Sequence, residues 1–136
     1  MYRWVEHTGE LEVEIEAENE TEVFEQGFEA MRELLADRSE GLAAYEDERE
    51  QRTVSLSGAD RSALLADWLS ELAFLAESEG FVPERIDSIE LDGNRLTAEL
   101  LGVRGDPPHL VKAATYHRLA LEPGGSGWRA TVVLDV

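Results

Sequence analysis

The sequence predicts an α+β fold, a two-layer sandwich in which two helices pack on a mainly antiparallel sheet. Two amphipathic stretches, Thr21 to Asp37 and Asp60 to Gly80, carry apolar residues at helical spacing, and each follows a segment with strand-like alternation. From Arg85 onward the chain contains only strand-like segments separated by turns rich in Gly and Pro. A succession of antiparallel strands with two helices on one face gives this architecture. We expect one domain spanning residues 1–136.

The first segment, Tyr2 to Glu18, is predicted to be a half-buried strand. From Leu11 onward apolar residues alternate with glutamates, which places the glutamates on one face that we expect to be solvated. The polar group Glu6-His7-Thr8-Gly9-Glu10 precedes the alternation. Its composition and spacing are typical of a turn.

The two helices have recognisable start and stop signals. Asn19 and Thr21 offer N-cap oxygens to the first helix, which the apolar spacing carries to about Asp37. Asp60 is the predicted N-cap of the second helix, and Gly80 ends it. The apolar stripe of the second helix is the wider of the two, and we expect both stripes to lie in the core. The stripe of the first helix consists of Val23, Phe24, Gly27, Phe28, Met31, Leu34 and Leu35. The stripe of the second helix consists of Leu64, Leu65, Trp68, Leu69, Leu72 and Leu75.

Between the helices, the acidic stretch from Ser39 to Glu50 is predicted to include a loop, and Arg52 to Ser57 to be a short strand. After Arg85, the sequence Asp92-Gly93-Asn94 between two alternating runs predicts a β-hairpin.

The last part of the chain contains a loop and two further strands. The loop spans Gly102 to His109 and includes two consecutive prolines. Leu110 to Leu121 and Trp128 to Val136 are the strands. Alternation along the first of them places Lys112 and His117 on opposite faces unless a bulge intervenes.

The net charge of the chain limits the kinds of partner that we expect it to bind. Acidic residues number 30 and basic residues 12, which gives a formal net charge of −18 and a sequence pI of about 4.3. Such a chain repels phosphate backbones, so we expect no direct nucleic-acid binding and favour a basic protein partner. The acids are spread along the chain, and Lys112 is the single lysine among the basic residues. This pattern favours a halophilic origin, because molar salt screens the self-repulsion; an acidic binding surface is the competing interpretation.

The chain contains no cysteine, so thiolate metal sites and disulfides are excluded. Any metal must be held by oxygen or imidazole, which favours hard cations. Asp135 and the carboxylate of Val136 stand together at the end of the last predicted strand and offer such ligands. No apolar run is long enough to span a bilayer and no signal-peptide core is present, so we expect a soluble, cytoplasmic protein without membrane contact.

Three segments together resemble the archease family. They are Glu6-His7-Thr8-Gly9-Glu10, Lys112-Ala113-Ala114-Thr115-Tyr116-His117, and the C-terminal Val132-Val133-Leu134-Asp135-Val136. The helix with Leu64-Leu65 and Trp68-Leu69 also fits the family pattern, so the resemblance covers essentially the whole chain.

The resemblance implies a non-catalytic cofactor of the GTP-dependent RNA-splicing ligase in tRNA splicing, which promotes ligase guanylylation and multiple turnover. It also implies a divalent cation, calcium with magnesium or manganese as alternatives, held by Glu10, Asp135 and Val136. The family usually has Asp where this chain has Glu10. Lys112, His117 and His7 are further candidate functional residues, and no catalytic residue is implied.

Two other classes of function remain open on the sequence. One is an acidic chaperone that shields RNA-binding proteins. The other is a small hydrolase with His7 or His117 as base beside Glu6, Glu10 or Asp135, although the chain lacks a nucleophile elbow or metal-hydrolase spacing.

Overall fold

The computed structural model describes residues 1–36, 49–105 and 111–136, and it contains seven strands and two helices in that part of the chain. In chain order the elements are β1 (Tyr2–His7), β2 (Glu10–Ala17), α1 (Glu20–Ala36), β3 (Glu50–Ser57), α2 (Arg61–Glu79), β4 (Phe81–Asp92), β5 (Arg95–Arg104), β6 (Ala113–Gly124) and β7 (Gly127–Asp135). Most of the loops predicted at Ser39–Glu50 and Gly102–His109 lies outside the described residues.

The strands form two antiparallel sheets. The first has four strands in the order β1-β2-β7-β6, and the second has three in the order β3-β5-β4. The first strands of the chain therefore pair with the last, since β2 lies beside β7. Two helices on antiparallel sheets confirm the predicted α+β class.

Both helices contact both sheets, and the apolar core lies where they meet. Asn19 and Asp60 are confirmed as caps, since Asn19 Oδ1 accepts from the Glu22 amide at 2.8 Å and Asp60 Oδ1 accepts from the Ala63 amide at 2.8 Å. Thr21, the other candidate for the first helix, lies inside α1. Trp68 of α2 ties the helices together. It is fully buried, stacks on Phe28 of α1 with ring centroids 6.2 Å apart, and donates its indole N–H to a carbonyl of α1 at 2.9 Å.

The N-terminal segment is a hairpin, so the prediction of a single strand over Tyr2–Glu18 is wrong. Strands β1 and β2 pair antiparallel and are joined at Thr8 and Gly9. Gly9 has a φ of 73°, a left-handed conformation that glycine adopts without strain. The predicted turn at Glu6–Glu10 therefore reverses the chain completely and brings His7 opposite Glu10.

The second sheet extends further at both ends than the alternation indicated. Strand β4 begins at Phe81 rather than near Arg85 and includes Pro83, which an edge strand tolerates because its outer amides need no partner. Strand β5 runs through Gly102 to Arg104, where the loop was predicted to begin. A Cβ at Gly102 would lie 2.3 Å from the Val82 carbonyl oxygen, so the residue marks a close approach of two strands rather than a loop.

Candidate metal centre

The β1–β2 turn and the C-terminus meet at one end of the four-stranded sheet. Glu10, the first residue of β2, lies directly opposite Asp135, the last residue of β7. The Val136 amide donates to the Gly9 carbonyl at 3.4 Å, which holds the C-terminus beside the β1–β2 turn. The structure thus brings Glu10, Asp135 and Val136 together, although they are at opposite ends of the sequence.

The carboxylate of Glu10 is incompletely paired. Its side chain is 36% exposed overall, yet its Oε2 atom is buried and has no hydrogen-bond partner. A buried carboxylate oxygen without a donor is costly, and a bound cation would satisfy it. Asp135 is exposed, and its side chain has no ion-pair partner among the residues that the structure describes.

These groups fit a hard cation in chemistry, because all of them are carboxylates. Within residues 1–36, 49–105 and 111–136, no group of three or more Asp, Glu, His or Cys side chains is arranged to hold a metal. A site here would therefore consist of two side chains and the terminal main-chain carboxylate. Since Ca²⁺ takes six to eight oxygen ligands, water or a partner molecule would complete the shell.

Strand β6 carries a bulge beside this group. Its register with β7 shifts between Thr115 and Ala120, so residues 116–119 lie opposite Val132 alone. The bulge interrupts the alternation from which Lys112 and His117 were placed on opposite faces. In the structure Arg118 Nη1 lies 3.1 Å from His117 Nε2, and the Arg118 side chain reaches back over the sheet to β2.

Glu12 is a residue beside the candidate metal centre that the sequence analysis did not single out. It was predicted to lie on a solvated acidic face but is 9% exposed, because side chains from other strands of the sheet cover it. Its Oε1 lies 3.5 Å from His7 Nε2 and 3.3 Å from Arg118 Nε. The rest of the face is also ion-paired, with Arg3 on Glu14 and Arg129 on Glu16. The sequence signal that could have indicated these ion pairs is the presence of basic residues, such as Arg3 and Arg129, opposite the glutamates of β2.

The comparison with protein families decides the relationship of the chain. A family model described as the Archease protein family matches residues 2–136. The chain belongs to the archease family.

Other archeases are similar in sequence to this chain over almost its full length. The archease of Methanosarcina barkeri is 32% identical over 99% of this chain and 95% of its own, and that of Archaeoglobus fulgidus is 31% identical over 99% of this chain and 98% of its own. Among solved structures, the solution structure of protein 1598 of Methanobacterium thermoautotrophicum is similar at a TM-score of 0.70 and 25% identity, covering 99% of this chain and 98% of that one. The crystal structure of a Thermotoga maritima archease, described as a possible chaperone, has the same fold at a TM-score of 0.64 and 23% identity, covering 100% of this chain and 98% of that one.

The remaining archease motif residues flank the candidate metal centre. Lys112 is exposed and donates its backbone amide to the Asp135 carbonyl at 2.8 Å, while its ammonium has no ion-pair partner among the described residues. His7 and His117 are both exposed; His7 contacts Glu12 directly, and His117 contacts Arg118, which in turn pairs with Glu12. Tyr116 points the other way, and its hydroxyl donates to Asp67 Oδ1 of α2 at 3.3 Å. The negative charge of the Asp67 carboxylate raises the pKa of Tyr116.

Two side chains of helix α2 bind the backbone at and just before the start of β6. Ser70 Oγ accepts from the Ala114 amide at 2.9 Å, and Glu77 Oε1 accepts from the Val111 amide at 2.9 Å. These bonds satisfy amides at the outer edge of the sheet and fix the segment next to Asp135. No helix in the described part of this archease is long and apolar enough to cross a membrane.

Proposed function

We propose that this archease is a non-catalytic activator of the GTP-dependent RNA-splicing ligase in tRNA splicing. The observation that carries the proposal is the family match over residues 2–136, together with the convergence of the three archease motifs at one end of the sheet. A net charge of −18 supports a basic, RNA-handling protein as the partner rather than RNA itself. In this role the protein promotes guanylylation of the ligase and its multiple turnover.

The experiment that tests the proposal follows the guanylylation step directly. Purified ligase is incubated with labelled GTP and Mn²⁺, with and without this protein, and the label covalently bound to the ligase is counted. An activator increases the initial rate of labelling at a substoichiometric amount. An unchanged rate with the ligase of the same organism would contradict the proposal.

A chaperone is the second candidate, supported by the description of the Thermotoga maritima relative as a possible chaperone. A chaperone would raise the amount of soluble ligase without changing the labelling rate per soluble molecule. A hydrolase would release product from GTP or RNA in the absence of ligase. Measuring soluble ligase and ligase-free hydrolysis in the same preparation separates the three.

We further propose that a divalent cation, calcium or alternatively magnesium or manganese, binds through Glu10, Asp135 and the carboxylate of Val136. The buried, unbonded Oε2 of Glu10 opposite Asp135 supports this ligand set. The bound cation would supply a positive charge at the edge of an acidic protein, where it can attract a carboxylate or phosphate of the ligase site.

Extending the C-terminus is expected to weaken cation binding. A tag after Val136 converts the terminal carboxylate into an amide and removes one charged ligand. We expect Ca²⁺ affinity, measured by calorimetry, to fall by roughly tenfold or more, since ligand charge count tunes affinity in carboxylate sites. The same tag placed before Met1 is the control. Equal Ca²⁺ affinity of the two tagged proteins would show that the carboxylate of Val136 is not a ligand.

A further inference from the structure

Arg118 has an unusual backbone conformation next to the candidate metal centre. Its φ is 56°, and it is the sole residue other than glycine with a positive φ in the described ranges. It lies inside the β6 bulge, where residues 116–119 have no paired partner on β7. A non-glycine residue in this region is held there by its surroundings, so the contacts of its side chain need an explanation.

The guanidinium of Arg118 reaches both carboxylates of β2. Nε lies 3.3 Å from Glu12 Oε1, and Nη2 lies 3.6 Å from Glu10 Oε2. The remaining nitrogen, Nη1, lies 3.1 Å from His117 Nε2. Arg118 is thus the cation nearest to the oxygen that we assign to the metal, in a part of the molecule dominated by carboxylates.

The Arg118 guanidinium attracts the Glu10 carboxylate electrostatically but donates no hydrogen bond to it. A separation of 3.6 Å exceeds the 2.7–3.2 Å of N–H···O bonds, so the guanidinium screens the charge of Oε2 but leaves its lone pairs unused. A Ca²⁺ ion on this oxygen would lie about 2.4 Å from it, and therefore within roughly 6 Å of the guanidinium. Two positive charges at that distance repel each other.

We propose that Arg118 is an internal counter-cation that competes with the divalent cation for Glu10 and sets the affinity of the site. This inference rests on the metal site proposed above. Without a metal, Arg118 neutralises part of the charge of Glu10 and Glu12. When the metal binds, the guanidinium withdraws from Glu10 and keeps Glu12, whose burial requires a partner.

Removing the charge of Arg118 is expected to tighten Ca²⁺ binding. Calorimetry with CaCl₂ alone compares the wild type with Arg118→Gln and Arg118→Lys at one KCl concentration. We expect Arg118→Gln to bind roughly three- to tenfold more tightly, because the repulsion is gone, and Arg118→Lys to remain near the wild type. Arg118→Gly also removes the charge and suits the left-handed backbone, so it replaces Arg118→Gln if that variant is unstable.

The matched control is Arg129→Gln. Arg129 pairs with Glu16 at 3.6 Å on the same sheet face, and Glu16 lies six residues from Glu10 along β2, or about 20 Å. The control makes the same change in net charge, so it is expected to leave the affinity within about twofold of the wild type. A purely global charge effect would shift both variants equally and would overturn the proposal.

The outcomes separate the role of Arg118 from the metal site itself. Equal or weaker Ca²⁺ affinity in Arg118→Gln than in the wild type overturns the inference and leaves the metal site standing. Binding that appears only when Arg118 is removed supports it. Absence of binding in the wild type and in both charge-removing variants overturns the metal site and the inference together.

Discussion

Asp135→Ala is expected to abolish stimulation of the RNA-splicing ligase and to leave the fold intact. Asp135 is exposed at the end of β7, and none of the described residues forms an ion pair with it. An exposed strand-terminal side chain contributes within about 0.5 kcal/mol to the free energy of unfolding. Its loss removes one of the two side-chain ligands of the proposed cation, so the cation and the activity that depends on it should disappear together.

The measurement is ligated RNA per ligase over time, alongside the melting temperature of the variant. Asp92→Ala is the matched control, because Asp92 is likewise an exposed aspartate at the end of a strand, but on the other sheet. Stimulation should be lost in Asp135→Ala and retained in Asp92→Ala. Full stimulation by Asp135→Ala would show that the site assignment is wrong.

Lys112→Ala extends this experiment to the neighbouring motif. The ammonium makes no ion pair within the described ranges, so its removal should change the free energy of unfolding by less than about 1 kcal/mol. We expect stimulation to fall, because a cation beside the site can contact a GTP phosphate or a ligase carboxylate. Lys112→Arg keeps the charge and should restore part of the activity, whereas wild-type stimulation by Lys112→Ala would exclude such a contact.

Folding is expected to depend strongly on salt. A net charge of −18 on 136 residues opposes the compact state, and molar salt removes that repulsion by shortening the screening length from about 10 Å to about 3 Å. The ion pairs between the strands offset only part of the excess, since acidic residues outnumber basic ones 30 to 12. The melting temperature should therefore rise steeply between about 0.1 M and 3 M KCl.

Replacing exposed carboxylates provides the control for the salt effect. Glu18, Glu25 and Glu79 are exposed, and changing all three to Gln reduces the negative net charge from −18 to −15 without touching the core. This variant should be more stable than the wild type in low salt and should respond less to KCl. A wild-type melting temperature that does not change with KCl would contradict the halophilic interpretation and favour an acidic binding surface.

The parts of the fold that the sequence predicted depend on local signals. The caps Asp60 and Gly80, the Asp92-Gly93-Asn94 hairpin and the apolar helix stripes are set by neighbours in sequence, and the structure confirms them. The pairing of β2 with β7 has no local signal, because it joins residues more than a hundred positions apart. Only the family resemblance pointed to Glu10 and the C-terminal residues as one site.

The parts that sequence reasoning missed depend on tertiary context. Alternation assigns each side chain of a strand to a face, and the bulge between Thr115 and Ala120 breaks that rule where Arg118 and His117 lie. Alternation also cannot show which side chains from other strands cover a residue, so it could not show that His7 and Arg118 pack on Glu12 and bury it. Both misses concern the surroundings of the candidate metal centre, where burial and charge oppose local preference.

The measurement that tests the central claim most directly is the number of ligated RNA molecules formed per ligase molecule in the presence of GTP and Mn²⁺. The ligase must come from the same organism, and the salt must be high enough for this acidic protein to be folded. We predict many products per ligase when this protein is present at a substoichiometric amount, and no ligation by this protein alone. A product count that stays the same with and without the folded protein would contradict the account.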